Sequence, residues 1–517
     1  MIRRVTPRHI VFILAASAFA RPLLAQCPDG TPPPCRARPL HAPPPAASSV
    51  AVLYFENVTR DSNDTYLADG LTEEITSRLS AIERLAVKSH FAVRRYRGTD
   101  LEDLATVAQA LNVSYLVTGS IRRSSGRLRV SAELVRAAAG MQVWGRQFDQ
   151  AGTDLLAIQE AVAREVATGI VGRLLPNERT AVEARATRDP AAYDHLLRGN
   201  FYLAQRTQQS VTRAIEEYET AARLDPSYTD ALALVPYAYA LFLDWGWDYP
   251  GLPPDSLLQR GLRAADRALQ RDSTSSDAWM ARGYLAAFAH PREFSGMREA
   301  FGRALDLNPR NAEAWHQLGS KLQFLGDDSG AVAADRQALA LDPARVITLR
   351  NLGWVYRDGR RYDQARRWLD SAIAVDPTAA YAHLDRAHLL LDLGDTAGAR
   401  AATLLVERYA AAGRPDVRAL RVALDAAAGD SLAARAGAET LALSAPGTGP
   451  IGIVPGVYVA AALVAIGERA RCVDVLGRVR PIGAYLWMEL RNPLWDPVRS
   501  DPRFVRLVAE SRPPGAP

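Results

Sequence analysis

The sequence predicts an α+β protein, with a small mixed-sheet α/β domain towards the amino terminus followed by an all-α solenoid of helical hairpins. Two observations carry this prediction. Apolar, β-branched segments alternate with amphipathic helical segments across residues 48–150, and a residue pattern with a period of 34 positions recurs farther along the chain. The first pattern is typical of a sheet domain with helices, and the second is typical of stacked repeats that share one continuous core.

The amino terminus has the features of a secretory signal peptide. A cluster of arginines precedes an apolar run from Ile10 to Ala20, which is too short to span a bilayer as a helix. Ala25 supplies a small residue for cleavage. We therefore expect residues 1–25 to be removed, leaving a secreted chain that begins at Gln26 and has no stable membrane insertion. An uncleaved anchor is the alternative.

Residues 26–47 are a proline-rich linker, which we expect to be extended and semi-rigid. Cys27 and Cys35 lie in it and would be able to pair in an oxidising compartment. Cys27 is also a candidate lipid-anchor site, although Gln26 stands where a bacterial lipobox requires Gly, Ala or Ser. Cys472 lies in an apolar helical segment and is expected to be a small buried hydrophobe.

The elements of the 48–150 domain are expected in the order strand, helix, strand, helix and three strands. They correspond to the segments SVAVLYF, YLADGLTEEITSRLSAI, LAVKS, LEDLATVAQALN, SYLVTGSIRR, RLRVSAELVR and MQVWGRQFD. Asn112 should end the second helix, and turns at 124–126 and 139–140 should join the last three strands. A long amphipathic helix within 151–189 is expected to connect this domain to the repeats.

The repeats are marked by the phrases ALDLNP, ALALDP and AIAVDP, whose prolines stand 34 residues apart. A residue that precedes proline is pushed out of the helical region, so each phrase should end a helix. Gly319 and Gly353 are expected where two helices cross closely. Gly326 and Gly359 are expected to break the chain between the helices of a hairpin.

These units resemble tetratricopeptide repeats (TPRs), whose signature combines W-x2-L-G, A-x3-F and a closing proline. The matching residues are Trp315, Leu318, Gly319, Ala331, Ala338 and Pro343, then Leu352, Gly353, Tyr356, Ala365, Leu369, Ala372 and Pro377. We expect five to seven hairpins across 190–445, because a single hairpin cannot bury its apolar face alone. Residues 446–517 are then a helical cap of the array.

The 48–150 domain resembles the TolB amino-terminal-like family, which is related to the FlgO-like domains of bacterial envelopes. The resemblance is carried by VAVLYFENVTRDSNDTYLADGLTEEITSRLS and by ALNVSYLVTGSIRRSSGRLRVSAELVRAAAGMQVWGRQFD. It implies an interaction protein, places the secreted chain in the periplasm, and supplies no catalytic residue.

The sequence does not predict an enzyme, a metal or a cofactor. Gly447–Gly452 fits G-x-G-x-x-G, but no strand precedes it and Pro450 interrupts it. Glu73 and Glu74 point about 100° apart on a helix, and Asp69, Thr72 and Glu73 are expected in its first turn, where acids suit the helix dipole. The arginines are interspersed with acids without a one-sided stripe, which excludes a nucleic-acid footprint.

The predicted function therefore lies in the groove of the repeats. In the TPR resemblance, certain positions of the first helix of each unit face the concave surface. Carried onto this sequence, they are Met280, Tyr284, Phe288, His316, Phe324, Arg350, Trp354, Arg357, Tyr381 and His388. Aromatic residues and arginine are typical of binding hot spots. We expect a protein or peptide partner of unknown identity and a non-enzymatic adaptor.

Two other functions stay open: an envelope assembly factor held near the outer membrane through Cys27, and a regulatory module of a signalling system. The aromatic insertion at 244–255 is a second candidate surface, unless it packs on the array. Removing both Trp354 and Arg350 is expected to abolish partner capture and to leave thermal melting nearly unchanged, if these groove positions do not fill the seams between helices.

Overall fold

The computed structural model describes residues 46–516, apart from 60, 62–63, 99–102, 125–126, 152–154, 291–293, 295, 411–412 and 445–450. The predicted signal peptide, nearly all of the linker with Cys27 and Cys35, and most of the Gly447–Gly452 motif lie outside the described residues. The described part has the predicted organisation, because a small mixed sheet precedes a helical solenoid.

The sheet has the mixed topology that the sequence predicts. Its strands are β1 (Ser49–Val52), β2 (Glu56–Asn57), β3 (Ala86–Val87), β4 (Tyr115–Ser124), β5 (Arg127–Arg136) and β6 (Met141–Ala151). The strand order is β3-β1-β4-β5-β6, and β2 also pairs with β4. β1 runs parallel to β3 and β4, whereas β4, β5 and β6 are antiparallel neighbours joined by hairpins.

Helices cover both faces of this sheet. They are α1 (Thr65–Ser80), α2 (His90–Val93), α3 (Leu104–Leu111), α4 (Leu155–Val171) and α5 (Pro176–Glu183). Asn112 ends α3 in the left-handed conformation, with φ 51°, as predicted. α4 does more than connect two domains, because its apolar side packs on α1, β5 and β6. The placement of Asp69 and Glu73 was wrong: they lie in the interior of α1, whose first turn contains no acidic residue.

Eight helical hairpins follow in the described residues. They pair α6 (Pro190–Ala204) with α7 (Gln208–Leu224), α8 (Thr229–Trp245) with α9 (Pro254–Arg271), α10 (Ser276–Ala289) with α11 (Met297–Leu307), α12 (Ala312–Phe324) with α13 (Asp328–Leu341), α14 (Val346–Asp358) with α15 (Tyr362–Val375), α16 (Ala380–Asp392) with α17 (Thr396–Tyr409), α18 (Pro415–Ala427) with α19 (Ser431–Ala442), and α20 (Ile453–Ala465) with α21 (Arg469–Leu476). Stacked in this order, the hairpins form a TPR-like helical solenoid. The hairpin pattern continues beyond residue 445 into the region expected to be a cap.

The chain closes with short elements. β7 (Ile451–Gly452) and β8 (Val479–Arg480) pair in parallel at the last hairpin. α22 (Ala484–Leu490) follows, then a 3-10 turn (Pro493–Val498) and α23 (Pro502–Ser511). Cys472 on α21 is buried, as predicted, and burial raises the pKa of its thiol to about 12.

The close helix crossings occur at the predicted glycines. A Cβ atom added to Gly353 would lie 2.7 Å from Cδ2 of Leu369, and one added to Gly319 would lie 2.6 Å from Oδ1 of Asp335. A side chain at either position would have to displace the side chain of Leu369 or Asp335 on the second helix of the hairpin. The residues that bear these contacts are 34 positions apart in successive units.

The turn between α14 and α15 differs from the expectation. Gly326 has a φ of +76°, as a turn glycine should, but Gly359 has an ordinary φ of −76°. The left-handed residue is Arg360, with a φ of 57°. The chain needs one such residue between the two helices, and in this unit glycine stands one position too early to supply it.

The α/β domain is packed against the array. A Cβ added to Gly70 of α1 would lie 2.7 Å from Cδ2 of Leu197 on α6. The Tyr66 hydroxyl donates a hydrogen bond of 2.5 Å to Asp194 of the same hairpin. Farther along, the Ser89 hydroxyl donates to Asp342, at the end of α13, across 2.5 Å. One buried apolar cluster is continuous from the sheet into α8.

The inner face of the repeat array as candidate binding site

The ten predicted groove residues lie on α10, α12, α14 and α16, the first helices of four consecutive hairpins. We call the surface that they form the inner face. Met280, Tyr284, His316, Phe324 and Arg357 are buried, and Phe288, Arg350, Trp354, Tyr381 and His388 are partly buried. The structure therefore leaves each of the ten residues buried or partly buried.

A buried lysine, which the sequence analysis did not select, stands at the centre of the aromatic part. Lys321 is 0% exposed, and its Nζ lies 4.4 Å from the ring centre of Phe324 and 4.8 Å from that of Tyr284. It pairs with Asp244 at 2.5 Å. Burial lowers the pKa of Lys321, and Asp244 opposes this. The available signal was a rare lysine among aromatic groove positions.

Arg350 and Trp354 share one acceptor on the next hairpin. Arg350 Nε lies 2.6 Å from Oδ2 of Asp385, and Trp354 Nε1 donates to Oδ1 of the same carboxylate at 2.9 Å. Arg350 also stands over the ring of Tyr381 at 5.0 Å. One turn farther, Arg357 binds Asp392 at 2.5 Å. These side chains thus join α14 to α16 in addition to lining the inner face.

His316 belongs to a second polar network. Thr348 Oγ1 and His316 Nδ1 lie 3.1 Å apart, and burial together with the charge of Arg345 lowers the pKa of His316 to about 3. His316 is therefore neutral at physiological pH. Nearby, Tyr237 donates to Glu313 at 2.7 Å, and Arg345 pairs with the same carboxylate. Burial alone would raise the pKa of Glu313, but Arg345 and other positive groups lower it.

The chain's own carboxyl-terminal part lies on the inner face. The ring of Tyr485 on α22 packs edge-on against Phe324, with centroids 4.9 Å apart. Arg491 pairs with Asp328 at 2.5 Å, and Arg360 pairs with Asp496 at 2.6 Å. We call residues 484–498 the C-terminal segment. Its Tyr485 and Met488 pack in the apolar cluster of the inner face, whereas the two ion pairs lie at the start of α13 and in the turn after α14.

The aromatic insertion after α8 also turns inwards. Trp245 packs edge-on against Tyr381, with ring centroids 5.2 Å apart, and contacts Trp247 at 5.3 Å. Tyr249 packs against Phe242 at 5.1 Å. The alternative that the sequence left open, packing on the array, therefore describes this segment. This insertion covers Tyr381, and the C-terminal segment covers Phe324.

The α/β domain contains a separate polar cluster. Arg97 pairs with Asp69 and lies 5.5 Å from the ring centre of Tyr54. Burial raises the pKa of Asp69 to about 6. Burial, with the nearby charge of Asp69, raises the pKa of Glu73 to about 7. Nearby arginines offset part of the rise in the pKa of both carboxyls. The cluster is therefore a buried ionic contact beside α1.

The described residues contain no group of three or more His, Cys, Asp or Glu side chains placed to hold a metal ion. Within the same part of the chain, no helix combines the length and the apolar character needed to cross a bilayer.

No protein-family model matches the sequence. The chain is 30% identical over 230 residues to "Putative adenylate cyclase 3" of Rhizobium meliloti. The matched region covers 44% of this chain and 38% of that protein. It is 26% identical over 231 residues to the "Peroxisomal targeting signal receptor" of Kluyveromyces lactis, covering 40% of this chain and 39% of that protein. The chain thus spans about two fifths of either relative.

Among solved structures, the chain is similar to a tetratricopeptide repeat protein from Parabacteroides merdae. The identity is 15%, the match covers 53% of this chain and 100% of the other, and the TM-score is 0.36.

Proposed function

We propose that the protein is a non-enzymatic adaptor that binds a protein or peptide partner on the inner face of its TPR array. The observation that carries this proposal is that the inner face holds a protein segment within the chain itself. Tyr485 packs on Phe324, and Arg491 pairs with Asp328. A surface with these side chains is therefore chemically suited to an aromatic and charged polypeptide segment.

We further propose that the adaptor works in the periplasm. The support is the arginine-rich start, the short apolar run and Ala25, together with the resemblance of residues 48–150 to bacterial envelope domains. Mass spectrometry of the mature chain tests the export step. A first residue of Gln26 is expected, and an intact Met1 in secreted material would contradict it.

A second candidate function is the regulatory part of a signalling system. It is favoured by the region that the chain shares with the relative named a putative adenylate cyclase, at 30% identity over 230 residues. Under this reading the α/β domain and the array would transmit a binding event to a signalling protein. The two candidates differ in the identity of the captured partner.

Photo-crosslinking in cells tests the binding surface. A photoreactive amino acid replaces Phe288, which is partly buried on the inner face, and in a matched strain it replaces Leu432, which is 82% exposed on α19. The proposal predicts a discrete crosslinked partner from position 288 and none from position 432. Crosslinks only from position 432 would move binding to the outer surface.

A further inference from the structure

We propose that the C-terminal segment is an intramolecular competitor for the inner face, and that the external partner presents a segment with the same order of side chains: an aromatic residue, then a basic one, then an acidic one. This inference rests on the proposed function and assigns both the partner's chemistry and the control of its access. In the chain itself these positions are Tyr485, Arg491 and Asp496.

Helix α22 contacts two different parts of the protein through two of its sides. Leu486 and Leu490 are buried in the apolar cluster of the last hairpin, together with Trp495. Tyr485 and Met488, which are neighbours on the helix surface, pack against the aromatic cluster of the array. The array-facing side chains are therefore separable from the core that folds the carboxyl-terminal part.

Two ion pairs join the C-terminal segment to the array. Arg491 binds Asp328 through both guanidinium nitrogens, at 3.1 and 2.5 Å. Arg360 reaches both oxygens of Asp496, at 2.6 and 2.7 Å. The array thus presents one acid and one base to its occupant, beside the aromatic Phe324. A partner that reverses this order of charges would place like charges together at both positions.

These two ion pairs are partly open to water. The side chain of Asp328 is 35% exposed and that of Arg360 is 49% exposed. Exposed pairs contribute little net stability, so these two pairs affect which segment can bind more than how tightly it binds. Breaking them should weaken docking without unfolding the array. The contact of Tyr485 with Phe324 remains to be broken by the partner.

Competition of this kind has a quantitative signature. An external ligand binds only the fraction of molecules whose inner face is free, so its apparent affinity falls in proportion to that fraction. Weakening the internal contacts should therefore tighten external binding, although the substitutions remove nothing from the array. A purely structural role of the C-terminal segment would not produce this effect.

The probe is a fluorescein-labelled synthetic peptide with the sequence of residues 483–499, and the protein is the full chain. Fluorescence anisotropy compares the wild type with the variant Tyr485→Ala/Arg491→Asp. We expect the variant to bind the peptide at least about tenfold more tightly than the wild type. Hydrogen exchange checks both conditions: α20 and α21 should stay protected if the carboxyl-terminal core is intact, and residues 484–498 should lose protection if docking is weakened.

A charge exchange supplies the matched control. Adding Asp328→Arg to a Tyr485→Ala/Arg491→Ala variant, which cannot rebuild the ion pair within the chain, should weaken binding of the native peptide and strengthen binding of a peptide that carries Arg491→Asp. Equal peptide binding by wild type and variant, or binding that ignores residue 328, would overturn the inference. So would absence of peptide binding when hydrogen exchange shows residues 484–498 released. A partner crosslinked at position 288 would then still support the proposed function, which separates the two failures.

Discussion

Trp354 and Arg350 bind the two oxygens of one buried carboxylate, that of Asp385. Arg350 Nε lies 2.6 Å from Oδ2 and Trp354 Nε1 lies 2.9 Å from Oδ1, while the Asp385 side chain is 2% exposed. Burial raises the pKa of Asp385, and Arg350 opposes the rise. These two groove residues, selected from sequence as partner contacts, therefore hold one hairpin to the next.

The first prediction follows from this contact. Arg350→Ala should lower the free energy of unfolding by about 3–5 kcal/mol, because it leaves a buried carboxylate without its counter-charge. Urea denaturation measures the loss. The matched control is Arg350→Ala with Asp385→Asn. This double variant removes the unpaired buried charge and should recover part of the lost stability. An unchanged midpoint for Arg350→Ala would contradict this account, and it would support the sequence-based expectation that removing Arg350 together with Trp354 leaves thermal melting nearly unchanged.

The second prediction tests the register of the repeats. Gly353→Leu should lower the free energy of unfolding by roughly 1–3 kcal/mol or more, since its Cβ alone would stand 2.7 Å from Leu369. Gly302 is the control, because a Cβ there meets nothing within 4 Å and the residue is exposed on α11. Gly302→Ala should raise stability by about 0.5–1 kcal/mol through helix propensity. Equal losses in both variants would contradict the crossing assigned to Gly353.

The third prediction concerns Asp335, which occupies the position that Leu369 fills in the next unit. Asp335 is 0% exposed, neither carboxylate oxygen accepts a hydrogen bond from the described residues, and His316 Nδ1 stands 3.7 Å away. Asp335→Leu should raise the free energy of unfolding at neutral pH by about 1–3 kcal/mol, because it removes an unsatisfied buried group. The reciprocal change Leu369→Asp should lower it.

The gain from Asp335→Leu should depend on pH. Burial raises the pKa of Asp335 above its ordinary value. The wild type therefore keeps its full stability below about pH 4, where the unfolded carboxyl is also protonated, and loses it as the pH rises towards the folded pKa. The advantage of Asp335→Leu over the wild type should grow across that range. A gain that is independent of pH would show that Asp335 titrates normally.

The fourth prediction concerns the strained turn at Arg360. With a φ of 57°, Arg360 stands where other turns of the array have glycine, as at Gly326 and Gly394. In an Asp496→Ala background, which removes its ion pair, Arg360→Gly should raise stability by about 1–2 kcal/mol by relieving the left-handed conformation. Arg360→Ala should give no gain there. A stabilising alanine would indicate that the turn relaxes without glycine.

Local chemistry explains what the sequence predicted well. Gly319 and Gly353 repeat because every hairpin needs the same close crossing, and Asn112 ends α3 because asparagine tolerates the left-handed conformation. Alternating apolar segments likewise predicted the mixed sheet, because each strand shows its own local pattern. Each of these features is decided within one repeat or one pair of strands, where residue spacing and geometry are directly linked.

The occupancy of the inner face lies beyond such reasoning. The contacts Lys321–Asp244, Phe324–Tyr485 and Trp245–Tyr381 join residues that are two or more hairpins apart. Whether they meet depends on small rotations accumulated over successive hairpins, which no single unit encodes. The burial of Asp335 is hidden for a different reason, because its neighbours match the repeat pattern and an acid is ordinarily expected at an exposed position of a helix.

The most direct test of the account is intramolecular photo-crosslinking in the purified full chain. A photoreactive phenylalanine analogue at position 324 reports which segment covers the inner face, and mass spectrometry maps the product. The account predicts a crosslink within residues 484–491, centred on Tyr485, and its transfer to the 483–499 peptide in the Tyr485→Ala/Arg491→Asp variant. Crosslinks confined to α10 and α14 in the wild type, with none to α22, would contradict it.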